Sequence, residues 1–240
     1  MLHADTSYLI ADQELMAGAK NYFAWQGRLV LREAGRRVVE AGCGAGNFTP
    51  CLLDREFVAA VDGEPECVAR VRARFAKRPN FEAVVADICS QEFRDLRRFA
   101  PDTCVCLNVL EHIEDDVAAL RSMASVLAPR GKIVLIVPAF RSLYGPIDRR
   151  LGHFRRYTRR SVHSLAAAAG VRIEKMHYMN SAGFFGWWLN ARVLRRGTQS
   201  AGQIRFYDRF IVPPMARIEA RVPPPFGQSL FVVMEAEGVS

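Results

Sequence analysis

The sequence lacks the marks of a membrane-spanning or secreted protein. None of its hydrophobic runs approaches the roughly 20 residues that a transmembrane helix needs. The first 20 residues contain acidic side chains and have neither the basic start nor the apolar core of a signal peptide. We therefore expect a cytoplasmic protein.

Cysteine pairs of the C-x-x-C type are also missing, although the first half of the chain holds six cysteines. Cys104 and Cys106 alternate on a predicted strand, so both face one side of the sheet. Scattered cysteines of this kind favour buried free thiols over a metal or redox site. We expect no bound metal.

Acidic residues are scarce in the second half of the chain. Residues 139–240 hold 16 basic and 6 acidic side chains, whereas residues 1–138 hold 17 and 19. Such asymmetry is typical of a protein with an anionic partner, such as nucleic acid, a membrane surface or an acidic substrate. All but four of the 33 basic residues are arginine, so a coding bias with scattered, solvated arginines is the alternative.

A regular succession of strands and helices starts at Arg37. Predicted helices at 47–53, 65–77, 114–127 and 159–169 separate buried apolar runs, a pattern typical of a doubly wound α/β sheet. The predicted strands are Arg37–Ala41, Phe57–Val61, Phe81–Ala86, Thr103–Leu107, Lys132–Val137, Val171–Tyr178 and Ser229–Ala236.

The interruptions of this succession suggest one domain, residues 1–240, with additions. Residues 5–34 are predicted to form a helical lid. The core comprises about 36–138, 158–178 and 228–236, and two cap insertions occupy about 139–157 and 180–226.

A glycine-rich turn follows the first strand, in the sequence Glu40-Ala41-Gly42-Cys43-Gly44-Ala45-Gly46. Glycine accepts positive φ and lets a ligand approach the backbone. A dinucleotide loop has the spacing G-x-G-x-x-G, but here the third glycine is Gly46 and position 47 is Asn. The turn therefore predicts a nucleotide-cofactor site of another kind.

Three acids end the first three predicted strands, and parallel strands present their carboxyl ends at one edge. Asp62 follows the loop at the distance of a ribose-binding acid, and Asp87 is placed to accept an adenine amine. Glu40 would face an ammonium group and would repel a pyrophosphate. Helix capping is the alternative role for Asp62 and Asp87.

These motifs, together with V-V-A-D-I and N-V-L-E-H-I, resemble the class I S-adenosylmethionine-dependent methyltransferases of the small-molecule type. The resemblance covers residues 36–138 well. It implies a Rossmann-like, seven-stranded sheet, mostly parallel with an antiparallel last strand, and S-adenosylmethionine as the cofactor. The cofactor contacts that it implies are Glu40, Gly42, Gly44, Gly46, Asp62, Asp87, Ile88 and Asn108. Gly63 departs from the family, in which an apolar residue often covers the adenine.

The N-terminal aromatics allow two interpretations. Tyr22 and Trp25 either pack an amphipathic helix on the domain, or belong to a lid in which Tyr22 contacts the cofactor.

Methyl transfer from a sulfonium needs a base only when the acceptor must lose a proton. The candidates are His112, after the fourth strand, and His153 and Tyr157 in the first cap insertion. Tyr144 and Arg156 in the same insertion are candidate acceptor contacts, because an arginine pairs well with a phosphate or carboxylate. A capping or satisfied polar role is the alternative for His112.

The second cap insertion is rich in aromatic residues, proline and arginine, including Trp187 and Arg192, Arg195 and Arg196. It is either a flap packed on the sheet, a lid that lines an apolar acceptor pocket with Trp187, or an interfacial helix against a membrane or a second copy of the chain.

Two signatures of nucleic-acid methylation are absent. The fourth strand is followed by Asn108-Val109-Leu110-Glu111 rather than Asn/Asp-Pro-Pro-aromatic, and no Pro-Cys nucleophile stands there, since the one Pro-Cys pair of the chain, Pro50-Cys51, follows the glycine-rich turn. We expect a small, hydrophobic or anionic, or lipid-like acceptor. A nucleic-acid or protein methyltransferase, or a cofactor-binding partner subunit without activity, remains the alternative.

Overall fold

Seven strands form one continuous sheet in the computed structural model, which describes residues 6–194, 198 and 200–236. The strands are β1 (Arg37–Ala41), β2 (Phe57–Asp62), β3 (Phe81–Val85), β4 (Thr103–Leu107), β5 (Lys132–Pro138), β6 (Val171–Met179) and β7 (Ser229–Ala236). Their order across the sheet is β3-β2-β1-β4-β5-β7-β6.

The strand directions confirm the predicted fold class. The pairs β1–β2, β1–β4, β2–β3 and β4–β5 are parallel. The last strand, β7, lies between β5 and β6 and is antiparallel to both. The order reverses at β1 and β4, so the carboxyl ends of these neighbouring strands define the switch point of the sheet.

Helices cover both faces of the sheet. Besides short 3₁₀ and π-helical turns, they are α1 (Thr6–Met16), α2 (Lys20–Val30), α3 (Pro65–Phe75), α4 (Gln91–Arg94), α5 (Asp116–Ser125), α6 (Pro146–Arg150), α7 (Arg159–Ala169), α8 (Ser181–Trp188), α9 (Ala201–Phe206) and α10 (Val212–Glu219).

Two helical predictions need correction. Residues 47–53 were expected to be a helix, but only a 3₁₀ turn forms at Thr49–Cys51. Gly46 has φ 75°, which delays the helical turn, and Pro50 removes a backbone donor within it. The N-terminal helix is two helices, which are interrupted around Gly18, and residue 5 lies outside the described residues.

Alternating strand residues build a core on each face. Val39, Cys104 and Cys106 pack in one cluster, whereas Val38 and Val105 pack in the other. All six cysteines are free, and four are buried, as their spacing predicts.

The second cap insertion continues α8 and α9 with two π-helical turns, Leu189–Val193 and Tyr207–Ile211. The buried Asp208 accepts hydrogen bonds from the backbone N–H groups of Asn21 (3.2 Å) and Tyr22 (2.8 Å). The carboxylate therefore caps the N-terminus of α2. Among the described residues, no helix is both long and apolar enough to cross a bilayer, and Arg195 and Arg196 lie outside those residues.

Candidate active site

The backbone turns sharply where three of the strands reach the carboxyl edge of the sheet. Asn108 after β4, Phe140 beyond β5 and Asn180 after β6 have φ of 54°, 61° and 64°. Positive φ is uncommon for residues other than glycine, and such positions concentrate at functional sites. This edge is the candidate site.

The glycine-rich loop forms one wall of the site. Gly42, Gly44 and Gly46 have φ of 80°, 50° and 75°. A Cβ on Gly42 would lie 2.3 Å from the side chain of Val109, so the turn fits only glycine there. The loop thus lies directly against the chain that leaves β4.

Glu40 is buried beneath this loop. Its Oε2 accepts a hydrogen bond from Thr49 Oγ1 at 2.7 Å. Burial, reinforced by the charge of Asp62 and opposed by Thr49, raises the pKa of the Glu40 carboxyl to about 8. A cationic group bound beside this carboxyl would lower its pKa, because a positive charge favours the ionised form.

The other predicted cofactor acids lie at the neighbouring strand ends. Asp62 accepts N–H groups from Gly44 (2.8 Å) and Glu64 (2.9 Å), so it also holds the loop. Burial raises the pKa of Asp62, and these hydrogen bonds oppose the rise. Asp87 is exposed and accepts the N–H of Cys89 at 2.7 Å, and the next residue, Ile88, is buried. Asn108 is exposed at the end of β4.

These residues fit S-adenosylmethionine on the chemistry of the donor set. Carboxylates at the ends of β1, β2 and β3 suit an ammonium group, a ribose and an amino-purine, respectively. Because these strands are neighbours in the sheet, the three carboxylates follow one another along its edge in that order. A Cβ on Gly63 would meet nothing within 4 Å, so this position leaves open space beside Asp62 where the family often places an apolar wall.

Helix α1 covers the glycine loop. Gln13 Oε1 accepts the N–H of Ala45 at 2.7 Å, and Asn47 Nδ2 donates to the backbone oxygen of Gln13 at 2.7 Å. No residue pattern in the sequence indicates this contact, and the lid residue predicted instead is Tyr22. Burial raises the pKa of the Tyr22 hydroxyl, which lies near Asn180, Ser229 and Gln26 at the junction of α2 and the cap. The cofactor role of Tyr22 stays a prediction.

A buried ionic cluster lies in the first cap insertion. Asp148 Oδ1 accepts from His153 Nδ1 at 2.9 Å and from Arg156 Nε at 2.7 Å. All three side chains are almost fully buried. Although burial opposes it, hydrogen bonding and charge from His153 and Arg156 hold the pKa of Asp148 below its usual value. The N–H of Gly145 donates to the other carboxylate oxygen at 2.9 Å.

Glu111 and His112 meet this cluster from the end of β4. The rings of His112 and His153 pack edge to face, 4.6 Å between centroids. Burial raises the pKa of Glu111 to about 7, and burial together with His153 lowers that of His112 to about 3. Glu111 Oε2 is buried without a hydrogen-bond partner among the described residues. Ligand atoms of these three residues lie within 4.8 Å of one another, a spacing that a metal ion could use.

Two more of the predicted residues, Tyr144 and Trp187, contact the cluster. The Tyr144 hydroxyl donates to the His153 carbonyl at 2.7 Å, and the Arg156 guanidinium lies over the Trp187 ring, 4.7 Å from its centroid. Tyr157 instead donates to Asp116 at 3.0 Å within the core, where burial raises its pKa. These contacts favour a structural role for Tyr157. Its catalytic role stays a prediction.

Glu111 is a site residue that the sequence predictions do not include. The signal was an acid directly before His112 at a strand end. Asp148 carried no sequence signal for pairing with His153, because the pair depends on how α6 folds.

The fold and site define a class I methyltransferase, and the comparison with known families agrees. Residues 11–192 match the family model described as a methyltransferase domain. Because this match covers most of the chain, the protein belongs to that family of S-adenosylmethionine-dependent methyltransferases.

The curated relatives share part of the chain. A ubiquinone biosynthesis O-methyltransferase of Xanthomonas euvesicatoria is 36% identical over 110 residues, 44% of this chain and 44% of the relative. A Mycobacterium tuberculosis protein named as an S-adenosylmethionine-dependent methyltransferase is 32% identical over 114 residues, 46% of this chain and 39% of the relative. The matches thus span less than half the length of these relatives.

Solved structures share the fold over most of the chain. One, from a complex of a Haloferax volcanii methyltransferase with the Trm112 activator, has a TM-score of 0.66 at 17% identity and covers 99% of this chain and 100% of that one. The N-methyltransferase NodS of Bradyrhizobium japonicum, with S-adenosyl-L-homocysteine, has a TM-score of 0.54 at 17% identity, covering 89% and 86%. The [4+2]-cyclase SpnF has a TM-score of 0.58 at 15% identity, covering 89% and 81%, so the fold alone does not fix the reaction.

Proposed function

We propose that this protein transfers the methyl group of S-adenosylmethionine to a hydroxyl oxygen of a small, hydrophobic or anionic, lipid-like acceptor. One observation carries the choice of a hydroxyl. The Asp148–His153 pair lies beside Glu111 and His112 at the end of β4, next to the strand ends that suit the cofactor. A hydroxyl must lose its proton to become a good nucleophile. In this pair His153 is the base, and the Asp148 carboxylate holds it in place.

The chain's own groups suit the two requirements of the reaction. When bound, the cofactor supplies an electrophilic methyl group on a sulfonium centre. Glu40 would face its ammonium group, Asp62 the ribose hydroxyls and Asp87 the adenine amine, and α1 would exclude water through Gln13. Holding the two reactants in line supplies much of the rate in such displacements.

His153 is the proposed general base. The hydrogen bond to Asp148 places the ring proton on Nδ1, which leaves Nε2 as the acceptor. His153 Nε2 takes the proton of the acceptor's hydroxyl group while the hydroxyl oxygen forms a bond to the methyl carbon. The bond between that carbon and the sulfonium sulfur breaks in the same step. Asp148 then stabilises the imidazolium. Glu111, with a pKa of about 7, supplies a second carboxylate that stabilises the same imidazolium charge.

Arg156 and Trp187 are the proposed acceptor contacts. The stacked guanidinium and indole offer a cationic edge and an apolar face, so they suit an anionic or aromatic group on the acceptor. The name of the Xanthomonas relatives, O-methyltransferases of ubiquinone biosynthesis, supports a hydroxyl acceptor without identifying it here.

The test incubates the chain with methyl-labelled cofactor and a panel of acceptors, read by mass spectrometry. The panel contains alkylated phenols, carboxylic acids, amines, nucleic acid and protein, each with a divalent cation and with chelator. His153→Gln is compared with His163→Gln, which replaces an exposed histidine on α7. We expect transfer to phenols, a loss of about 10²- to 10⁴-fold in kcat for His153→Gln, and no change for His163→Gln.

Each other outcome removes a part of the proposal. Equal kcat in the two histidine variants would exclude His153 as the base. Methylation of amines, nucleic acid or protein alone would reject the acceptor class. Cofactor binding without any transfer would favour an inactive partner subunit, and no binding at all would reject the function.

A further inference from the structure

The second cap insertion carries large apolar side chains that the rest of the described chain leaves uncovered. Their exposed fractions lie between 44% and 60%. On α8 and its π turn they recur at helical spacing, and on α9 and its π turn Phe206 and Phe210 are four residues apart, with ring centroids 5.3 Å from each other. We call this set the cap surface: Phe185, Trp188, Leu189, Val193, Phe206 and Phe210.

Exposed arginines accompany the cap surface. Residues 180–226 contain seven arginines and only two acids, Asp208 and Glu219. Both acids are engaged internally, Asp208 with α2 and Glu219 with the N–H groups of Asn180 and Ser181. Arg205 and Arg209, by contrast, are exposed beside the two phenylalanines. The cap therefore presents apolar rings and positive charge together.

Aromatic contacts connect this surface to the candidate acceptor site. Phe185 contacts Phe184 at 5.6 Å between ring centroids, and Phe184 contacts Phe140 at 5.3 Å. Trp187, next to the exposed Trp188, lies under Arg156 of the ionic cluster. An apolar molecule at the cap surface would thus lie against the same helix that borders the acceptor site.

We propose that the cap surface docks on an anionic membrane surface, from which the acceptor reaches the site along α8. Tryptophan and phenylalanine with arginine are the residues that favour the lipid interface. Anionic headgroups complement the exposed positive charge of the cap, which comes from arginine. A second copy of this chain fits less well, because two such surfaces would bring like charges together. The proposal extends the proposed function, but docking itself requires no methyl transfer.

Vesicle binding of the full chain without cofactor tests docking separately from catalysis. The chain is floated with vesicles of phosphatidylcholine alone and of phosphatidylcholine with equimolar phosphatidylglycerol, at low and high salt. We expect binding to the anionic vesicles that weakens with salt, and a blue shift of tryptophan emission that Trp188→Phe removes.

Matched variants separate charge from apolar contact. Arg205→Gln/Arg209→Gln should weaken binding about 30-fold, from about 1 kcal/mol for each cation at an anionic surface. Phe206→Ser/Phe210→Ser should weaken it at least about tenfold. Lys77→Gln/Arg78→Gln removes two exposed cations at the end of α3, and Val85→Ser removes an exposed apolar side chain of β3. Both control variants should bind as wild type does.

Three results would overturn docking on a membrane: no flotation with either vesicle, equal weakening by the control variants, or a wild-type dimer that Phe206→Ser/Phe210→Ser converts to a monomer without vesicle binding. The melting temperature of each variant verifies that it folds. Methyl transfer to a water-soluble phenol should be unchanged in the cap variants, so failure of docking and failure of the enzyme remain distinct.

Discussion

Asp148 and His153 form a buried hydrogen-bonded pair, with 2.9 Å between Oδ1 and Nδ1. The carboxylate has no exposed surface and also holds Arg156. A histidine oriented in this way has one ring nitrogen committed to the carboxylate and the other available for a proton. The pair therefore connects the packing of the first cap insertion to the proposed chemistry.

Asp148→Asn should lower kcat by at least about 10²-fold, because it removes the charge that stabilises a protonated His153. Leaving Arg156 without its partner should also cost about 3–5 kcal/mol of unfolding free energy. Turnover and denaturant unfolding measure the two effects. The loss of kcat and the loss of stability should be separable, because different measurements report them. In turnover, Asp148→Asn combined with His153→Gln should lower kcat little further than either variant does. If the fold-losses in kcat of the two single variants multiply in the double variant, the residues act independently.

Cofactor affinity should depend on pH through Glu40. The pKa of this carboxyl is raised to about 8 by burial, and a bound ammonium group would lower it. Binding therefore releases a proton below this pKa, and affinity should rise with pH and level off above about 8. Calorimetry in buffers of different ionisation enthalpy measures the proton. Glu40→Gln should abolish both the proton release and this pH dependence.

Glu40 also predicts how folding stability changes with pH. The folded-state pKa is raised from 4.5 to about 8, so the folded protein binds the proton more tightly than the unfolded chain. The stabilisation is fully present below about pH 4.5 and is lost as pH rises through about 8. The melting temperature of the cofactor-free chain should fall over this range, and Glu40→Gln should reduce the slope. An unchanged slope would mean that Glu40 ionises normally.

Local patterns predicted the sheet well, since most strands are short apolar runs followed by an acid, asparagine or glycine; the exceptions are β5, which ends at Pro138, and β6, in which polar and apolar residues alternate. The bounds of β1, β4 and β7 match their predictions. Patterns failed where one residue changes a turn, as Gly46 and Pro50 do after β1, and where distant segments meet. The contact of Gln13 with Ala45 joins segments 32 residues apart, and the contact of Asp148 with His153, five residues apart, depends on how α6 folds; spacing along the chain encodes neither.

Asp62 should contribute strongly to cofactor affinity. Hydrogen bonds to a charged group are worth about 1.5–3 kcal/mol each, so Asp62→Ala should weaken S-adenosylmethionine binding by at least about tenfold. Asp62 also holds the N–H of Gly44, so part of the loss comes from the loop. Asp54→Ala, an exposed acid before β2, is the matched control. Equal affinity in the two variants would remove Asp62 from the cofactor site.

Asp208 should determine whether the cap and the N-terminal helices unfold together. It caps α2 through the N–H groups of Asn21 and Tyr22 and also accepts from Asn21 Nδ2 at 3.0 Å. Asp208→Ala should cost about 1–2 kcal/mol, the usual value of a helix cap, and should speed proteolysis of the cap. Asp208→Asn, which keeps one acceptor, should lose less. If Asp208→Ala leaves cleavage of the cap unchanged while it lowers the melting temperature, the residue stabilises α2 alone and does not couple it to the cap.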